Sequence, residues 1–195
     1  MEIIQLDDTS FVHFVPDFVH KTTADDIFVH LKTDIDWRES YGRSKNKPLP
    51  RLQCWMSDPG VKAKLFQKEE ALPWSPQVTK LKEQLEEWLN SKNMPVKFDY
   101  VLMNKYRNGD DRIGFHRDDE AEEHGKNIVG SVSFGATRKF IIKHRKDKSK
   151  PVYEFDLKHG SLIVMSGDTQ LGWVHSVPED SSVIKSRINL TFRKS

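Results

Sequence analysis

The sequence predicts an α+β protein in which N-terminal helices back a C-terminal antiparallel β core. Three observations carry that expectation. Val78, Leu81, Leu85, Trp88 and Leu89 recur at three- and four-residue steps, the period of one helix face. From Lys97 onward the texture changes to short alternating strands separated by turn residues, the mark of a sandwich or barrel. The 195 residues, 36% hydrophobic and 31% charged, suit one globular domain with a core of its own.

Composition narrows the function classes. No apolar run approaches the length a membrane span requires, so no membrane partner is expected. Net charge is only +2, so a nucleic-acid partner would depend on local basic patches rather than a global field. The single cysteine, Cys54, rules out an internal disulfide and suits a reducing compartment. Met1 to Asp8 carries acids and no basic stretch followed by an apolar one, so no secretory leader is expected. The expected residence is intracellular, nuclear in a eukaryote and cytoplasmic in a bacterium.

The elements follow in order. Residues 1–20 alternate loosely through Ile3, Ile4, Leu6, Phe11, Val12, Phe14 and Val15, which predicts a short strand ending at Pro16. Thr23-Ala24-Asp25-Asp26 has capping-box spacing ahead of Ile27, Phe28 and Leu31, so a helix is expected to start there. Residues 41–51 read as a basic, turn-rich loop, with four Lys or Arg in eleven residues and Tyr41 at its start. Residues 52–74 read as irregular. Ser75-Pro76 then supplies an N-cap and a proline at the first helical position. Beyond Lys97, strands are expected near 98–106, 128–134, 139–142, 152–157 and 162–165, then through the stretch Arg187 to Arg193.

Three features on this frame carry candidate chemistry. His116-Arg117-Asp118 puts an imidazole and a carboxylate two positions apart, so on extended backbone both face one way. With a second histidine from a distant strand they would complete a facial triad suited to iron(II). On its own, a solvated turn accounts for such a tripeptide more often than a metal does. In the last strand Arg187, Asn189, Thr191 and Arg193 alternate with Ile188, Leu190 and Phe192. The polar face is either solvated or the lining of a dianion pocket, each guanidinium clamping a carboxylate. Asn104 and Tyr106 share a strand face with Leu102, and His175 lies between the strand ending near Met165 and the last one.

In order, Asn104-x-Tyr106, His116-x-Asp118, His175 and Arg187-x5-Arg193 resemble the AlkB family of iron(II)/2-oxoglutarate dioxygenases, in its nucleic-acid dealkylase branch. Ser131-Val-Ser-Phe-Gly-Ala136, His159-Gly-Ser161 and Arg187-Ile-Asn-Leu-Thr-Phe-Arg193 add to the likeness, which runs from about Pro50 to the end. The resemblance implies a double-stranded β-helix (jelly-roll) core over about 96–195. It implies helical support and a nucleotide-recognition lid over about 1–95. It implies His116, Asp118 and His175 as iron ligands. Arg187 and Arg193 would hold 2-oxoglutarate at its two ends, helped by Asn104, Tyr106, Asn189 and Thr191. The cosubstrates would be 2-oxoglutarate and dioxygen, and the substrate alkylated DNA, with RNA or protein as alternatives. A non-catalytic nucleic-acid-binding β module is the reading from another class. A monomer is expected.

The resemblance also offers substrate contacts. Asp119 matches a base-contacting position, though a turn residue is an equal reading. Tyr41-Gly42-Arg43 is similar to a segment that carries an intercalating aromatic, and Trp55 is the nearest aromatic for stacking a flipped base. Lys143 to Lys150, with five Lys or Arg in eight residues, is similar to a loop that grips the phosphate backbone. The lid departs from the family pattern: Met56-Ser57 stands where a tyrosine-glycine pair is usual, and Lys64, Leu65 and Phe66 where tyrosines are.

Overall fold

The computed structural model describes residues 1–41, 47–62, 70–118 and 128–195. The elements in chain order are β1 (Glu2–Gln5), β2 (Ser10–Val15), α1 (Lys21–Thr33), β3 (Arg38–Tyr41), β4 (Pro48–Ser57) and α2 (Pro76–Ser91). There follow β5 (Tyr100–Tyr106), β6 (Ile113–His116), β7 (Val129–Gly135), β8 (Arg138–His144) and β9 (Tyr153–Leu157). Last come β10 (Ser161–Gly167), the one-turn α3 (Thr169–Gly172), β11 (Trp173–Val177) and β12 (Arg187–Arg193). Among the described residues the strands form an eight-stranded sheet, β1-β2-β10-β7-β12-β5-β4-β3, and a four-stranded sheet, β6-β11-β8-β9. All pairings within these sheets are antiparallel. This is the jelly-roll architecture.

The central strands of the larger sheet are buried on both faces. Against one face lie α1, through Ala24, Ile27 and Leu31, and α2, through Val78, Leu81, Leu85 and Leu89. They cover Val101, Met103, Val132, Phe134, Ile188, Leu190 and Phe192, the apolar half of three neighbouring strands. Burial of this size is the main driving force for the layer. Glu86, buried on α2, accepts the Phe98 N–H at 2.9 Å and pairs with Lys82 and Lys97. That contact pins the helix to the start of β5. The other face meets the smaller sheet over Tyr106, Phe140, Ile142, Met165 and Trp173.

The structure departs from the sequence reading at three places. Residues 1–20 form a two-stranded hairpin, and β2 joins the main sheet beside β10. Helix α1 begins at Lys21, with His20 as its N-cap and no side-chain cap. Thr23 thus lies inside the helix and the expected Thr23–Asp26 box does not form; Asp25 accepts from Lys21 and from His159 across the fold. The irregular stretch begins later than expected, because β4 runs ten residues from Pro48. Prolines remove ladder donors and argue against a strand. Here they fall at the start of β4, next to a register shift against β3 that absorbs them. The N-terminal half therefore supplies four strands as well as its helices. The Ser75 cap stands as expected, accepting the Val78 N–H.

One buried cation ties the loops that surround the site. Arg138 on β8 donates to the carbonyls of Asn108, Gly109 and Asp111 after β5, and to that of Pro178 after β11. Arg138→Met should leave several of these acceptors unpaired. A loss of about 2–4 kcal/mol is expected from a penalty of about 1–3 kcal/mol per orphaned group, read as a lowered urea midpoint.

Candidate active site

Strand register brings the two candidate histidines together. β11 lies between β6 and β8, and His175 sits directly opposite His116. Their ring centroids are 4.2 Å apart. Asp118 lies two residues beyond the end of β6, and one donor atom from each of the three falls within 4.8 Å of the others. The His116 Nδ1 faces the Gly114 carbonyl at 2.9 Å. A carbonyl only accepts, so Nδ1 carries the proton and Nε2 keeps its lone pair. His175 stacks on Phe140 at 5.2 Å.

The electrostatics favour metal-ready protonation states. Burial, with His116 and Arg193 nearby, pushes His175 down to about 3, against the partial opposition of Asp118. Burial likewise lowers His116. For Asp118, burial works to raise the carboxyl, but Arg193, His175 and His116 outweigh it and hold it below its usual range. Neutral imidazoles and an ionised carboxylate are the forms that ligate metal. Asp118 Oδ1 accepts from Arg193 Nη2 at 2.6 Å, while Oδ2 is buried with no hydrogen-bond partner among the described residues.

Beside this trio lies the polar face of β12. Arg187, Asn189, Thr191 and Arg193 are all buried, so the solvated alternative for this strand does not hold. Asn189 Oδ1 accepts from Ser131, Ser133 and Arg187, and its amide donates to Thr191. Arg187 lies over the ring of Tyr106, which Arg138 also flanks. Burial lowers Arg187 to about 10, so it remains a cation at neutral pH. Its Nε and Nη1 are buried with no hydrogen-bond partner among the described residues. A buried guanidinium with donors to spare is a seat for a carboxylate. The residues thus fit both an iron ion and a dicarboxylate.

The structure adds residues the sequence reading did not assign. Arg51 and Gln53 of β4 both donate to Asn104 Oδ1, at 2.9 and 2.8 Å, so Arg51 is not part of a solvated loop. Ser131 and Ser133 complete the Asn189 network. Gln170 accepts the Asp118 N–H. Alternation in β4 and β7 was the available signal; nothing periodic marks Gln170. Of the expected substrate contacts, Trp55 follows Gln53 on the same face of β4 and is buried with Tyr100 and Leu102. Tyr41 is exposed at the end of β3. Asp119 lies outside the described residues, as do residues 42–43 and 64–66. The basic stretch forms the β8–β9 turn, exposed from Arg145 to Lys150, with Lys143 Nζ 3.8 Å from the centroid of the Phe115 ring.

A jelly roll with an open two-histidine, one-carboxylate trio beside a buried arginine floor defines an iron(II)/2-oxoglutarate oxygenase. The family model described as the 2OG-Fe(II) oxygenase superfamily matches residues 11–193, and its members use iron(II), 2-oxoglutarate and dioxygen. Within that superfamily the chain belongs to the AlkB family. It is 34% identical over 193 residues to the alpha-ketoglutarate-dependent dioxygenase alkB homolog 3 of Bos taurus, covering 94% of this chain and 66% of that protein. It is 32% identical over 188 residues to the DNA oxidative demethylase ALKBH2 of Homo sapiens, covering 89% and 69%. The Bos taurus ALKBH2 is covered to 65%, so the chain spans just under two thirds of some relatives' length. In fold it is similar to OsALKBH1, with a TM-score of 0.70 and 19% identity over all of both chains. A Pseudomonas putida prolyl-4-hydroxylase follows at a TM-score of 0.62 and 12% identity, covering 94% and 92%.

A pH dependence follows from His175. The unfolded chain takes up a proton on this residue below about 6.5, and the folded chain withholds it until about 3. Stability of the metal-free protein therefore falls as pH drops through that window, and this histidine adds no dependence above it. Urea midpoints in chelator at pH 7 and pH 5 should show the loss, and His175→Gln should show a smaller one.

Proposed function

We propose that the chain is an oxidative DNA dealkylase that removes N-alkyl groups from bases. The observation that carries this reading is the His116–Asp118–His175 trio set beside the underpaired Arg187. The relatives named as DNA oxidative demethylases supply the substrate class.

In this reading His116 and His175, through Nε2, and Asp118 hold iron(II). Iron bound there would supply the oxidising chemistry, with dioxygen and 2-oxoglutarate consumed to give succinate and carbon dioxide while the N-alkyl carbon is hydroxylated and lost as an aldehyde. The chain itself supplies position and charge. Arg187, fixed by Ser133 and Asn189, takes one carboxylate of 2-oxoglutarate. Arg193 holds Asp118 and faces the other carboxylate. Tyr106, between two guanidiniums, walls the pocket, and Asn104 is set by Arg51 and Gln53.

A duplex hides the alkyl group, so the base is flipped out or already single-stranded. Lesions that block pairing ease that step, which makes N1-methyladenine and N3-methylcytosine the proposed substrates. Both carry positive charge, which suits a carboxylate such as Asp119. Trp55 and Tyr41 are the proposed aromatic contacts. The Arg145–Lys150 turn is the proposed phosphate grip, positioning the strand without reading its sequence.

The test is mass spectrometry of methylated duplex DNA, single-stranded DNA and RNA after incubation with iron(II), 2-oxoglutarate and oxygen. Loss of one methyl mass from DNA with matching succinate is expected; turnover confined to RNA or to a peptide overturns the reading. His116→Ala should abolish succinate formation and leave DNA binding nearly unchanged. Arg187→Met should raise the KM for 2-oxoglutarate about 10- to 100-fold, the worth of one charge-assisted hydrogen bond. Removing Lys148 and Lys150 together should weaken binding alike on all sequences and flatten the salt dependence, by about 0.7–0.9 in log–log slope per lost phosphate contact.

A further inference from the structure

We infer that Gln170 is a positioning residue that sets the metal-binding carboxylate by holding its main chain; the inference rests on the iron-site reading above. The Asp118 N–H lies 2.8 Å from the Gln170 side chain. A backbone N–H can only donate, so the facing atom must be the amide oxygen Oε1. That fixes the amide's orientation and sends Nε2 to the Met165 sulfur at 3.4 Å. Sulfur is a weak acceptor, so the orientation is set by Asp118 and not by the methionine.

The placement explains why the contact matters. Asp118 lies beyond the last residue of β6, where the ladder with β11 has already ended at His116. No strand partner takes its N–H, and the residue is almost wholly buried. Gln170, 1% exposed, stands in for the missing strand. Asp118 is then held at two points, its main chain by Gln170 and its carboxylate by Arg193. One anchor on the main chain and one on the carboxylate leave the side chain little freedom to swing from the histidines. Gln170 belongs to α3, which runs directly into β11 and His175. One short segment therefore carries one metal donor and aims a second, though Gln170 offers the metal no atom itself.

Gln170→Met keeps the side chain's length and apolar packing and removes the oxygen; Gln170→Glu keeps an oxygen acceptor. Three quantities are read: the Kd for Mn(II), the 2-oxoglutarate affinity at saturating Mn(II), and hydrogen exchange of the Asp118 amide in the metal-free chain. Groups that orient metal ligands are typically worth about 10- to 100-fold in affinity, and Q170M should lose Mn(II) binding by that factor, Q170E by less than about threefold. The Asp118 amide should be protected in wild type and Q170E and exchange freely in Q170M, while 2-oxoglutarate affinity stays unchanged. The inference is overturned if Q170M binds Mn(II) like wild type, if Q170E falls as far as Q170M, or if the wild-type Asp118 amide is unprotected. Should Q170M not fold, Gln170→Asn withdraws the oxygen by one methylene and is read the same way. A wild-type chain that binds no Mn(II) at all overturns the iron-site reading instead, and the amide exchange still judges Gln170.

Discussion

Everything in the site depends on β12 being buried on both faces. A strand alternates its side chains strictly, so Ile188, Leu190 and Phe192 on the helix side force Arg187, Asn189, Thr191 and Arg193 toward the smaller sheet. Two guanidiniums placed between sheets are expensive unless paired and hydrogen-bonded. The surrounding sequence meets much of that demand. Ser131 and Ser133 come from β7 on one side of β12, and Asn104 and Tyr106 from β5 on the other. What protein atoms leave unmet is concentrated on Arg187, where a dicarboxylate has its reason to bind.

Asp118 plays the corresponding part for the opposite charge. Arg193 neutralises it along one oxygen, and the second oxygen is left for the histidine side. The same ion pair thus links the iron seat to the arginine floor, so cation and dianion would be bound by one connected set of side chains. Removing either partner would leave an uncompensated buried charge, which costs more than the pair itself contributes.

Much of this was legible in the sequence because it is written in short periods. The stripe of α2 and the alternation of β5 and β12 are local patterns, and each element formed where its pattern lay. The meeting of His116 and His175 required a tertiary register that no local pattern contains; the order of motifs, matched to a family, supplied it. β4 was hidden because its prolines read as loop, and Arg51 and Gln53 were hidden with it. Gln170 was hidden for a different reason. A single helical turn has no period, and a glutamine between two strands carries no signal until its partner is known. The start of α1 was misjudged because Thr23 to Asp26 has the spacing of a capping box, while the helix begins two residues earlier, at Lys21, with no side-chain cap.

β6 is only four residues long and forms one edge of the smaller sheet. Edge strands of that length fray readily, since one flank has no ladder. A metal held by His116 and His175 would clip this edge to β11, side chain to side chain, at the last pair of their ladder. The apparent affinity for iron would then include the cost of quieting β6. Conditions that loosen the edge would weaken the metal without touching a ligand.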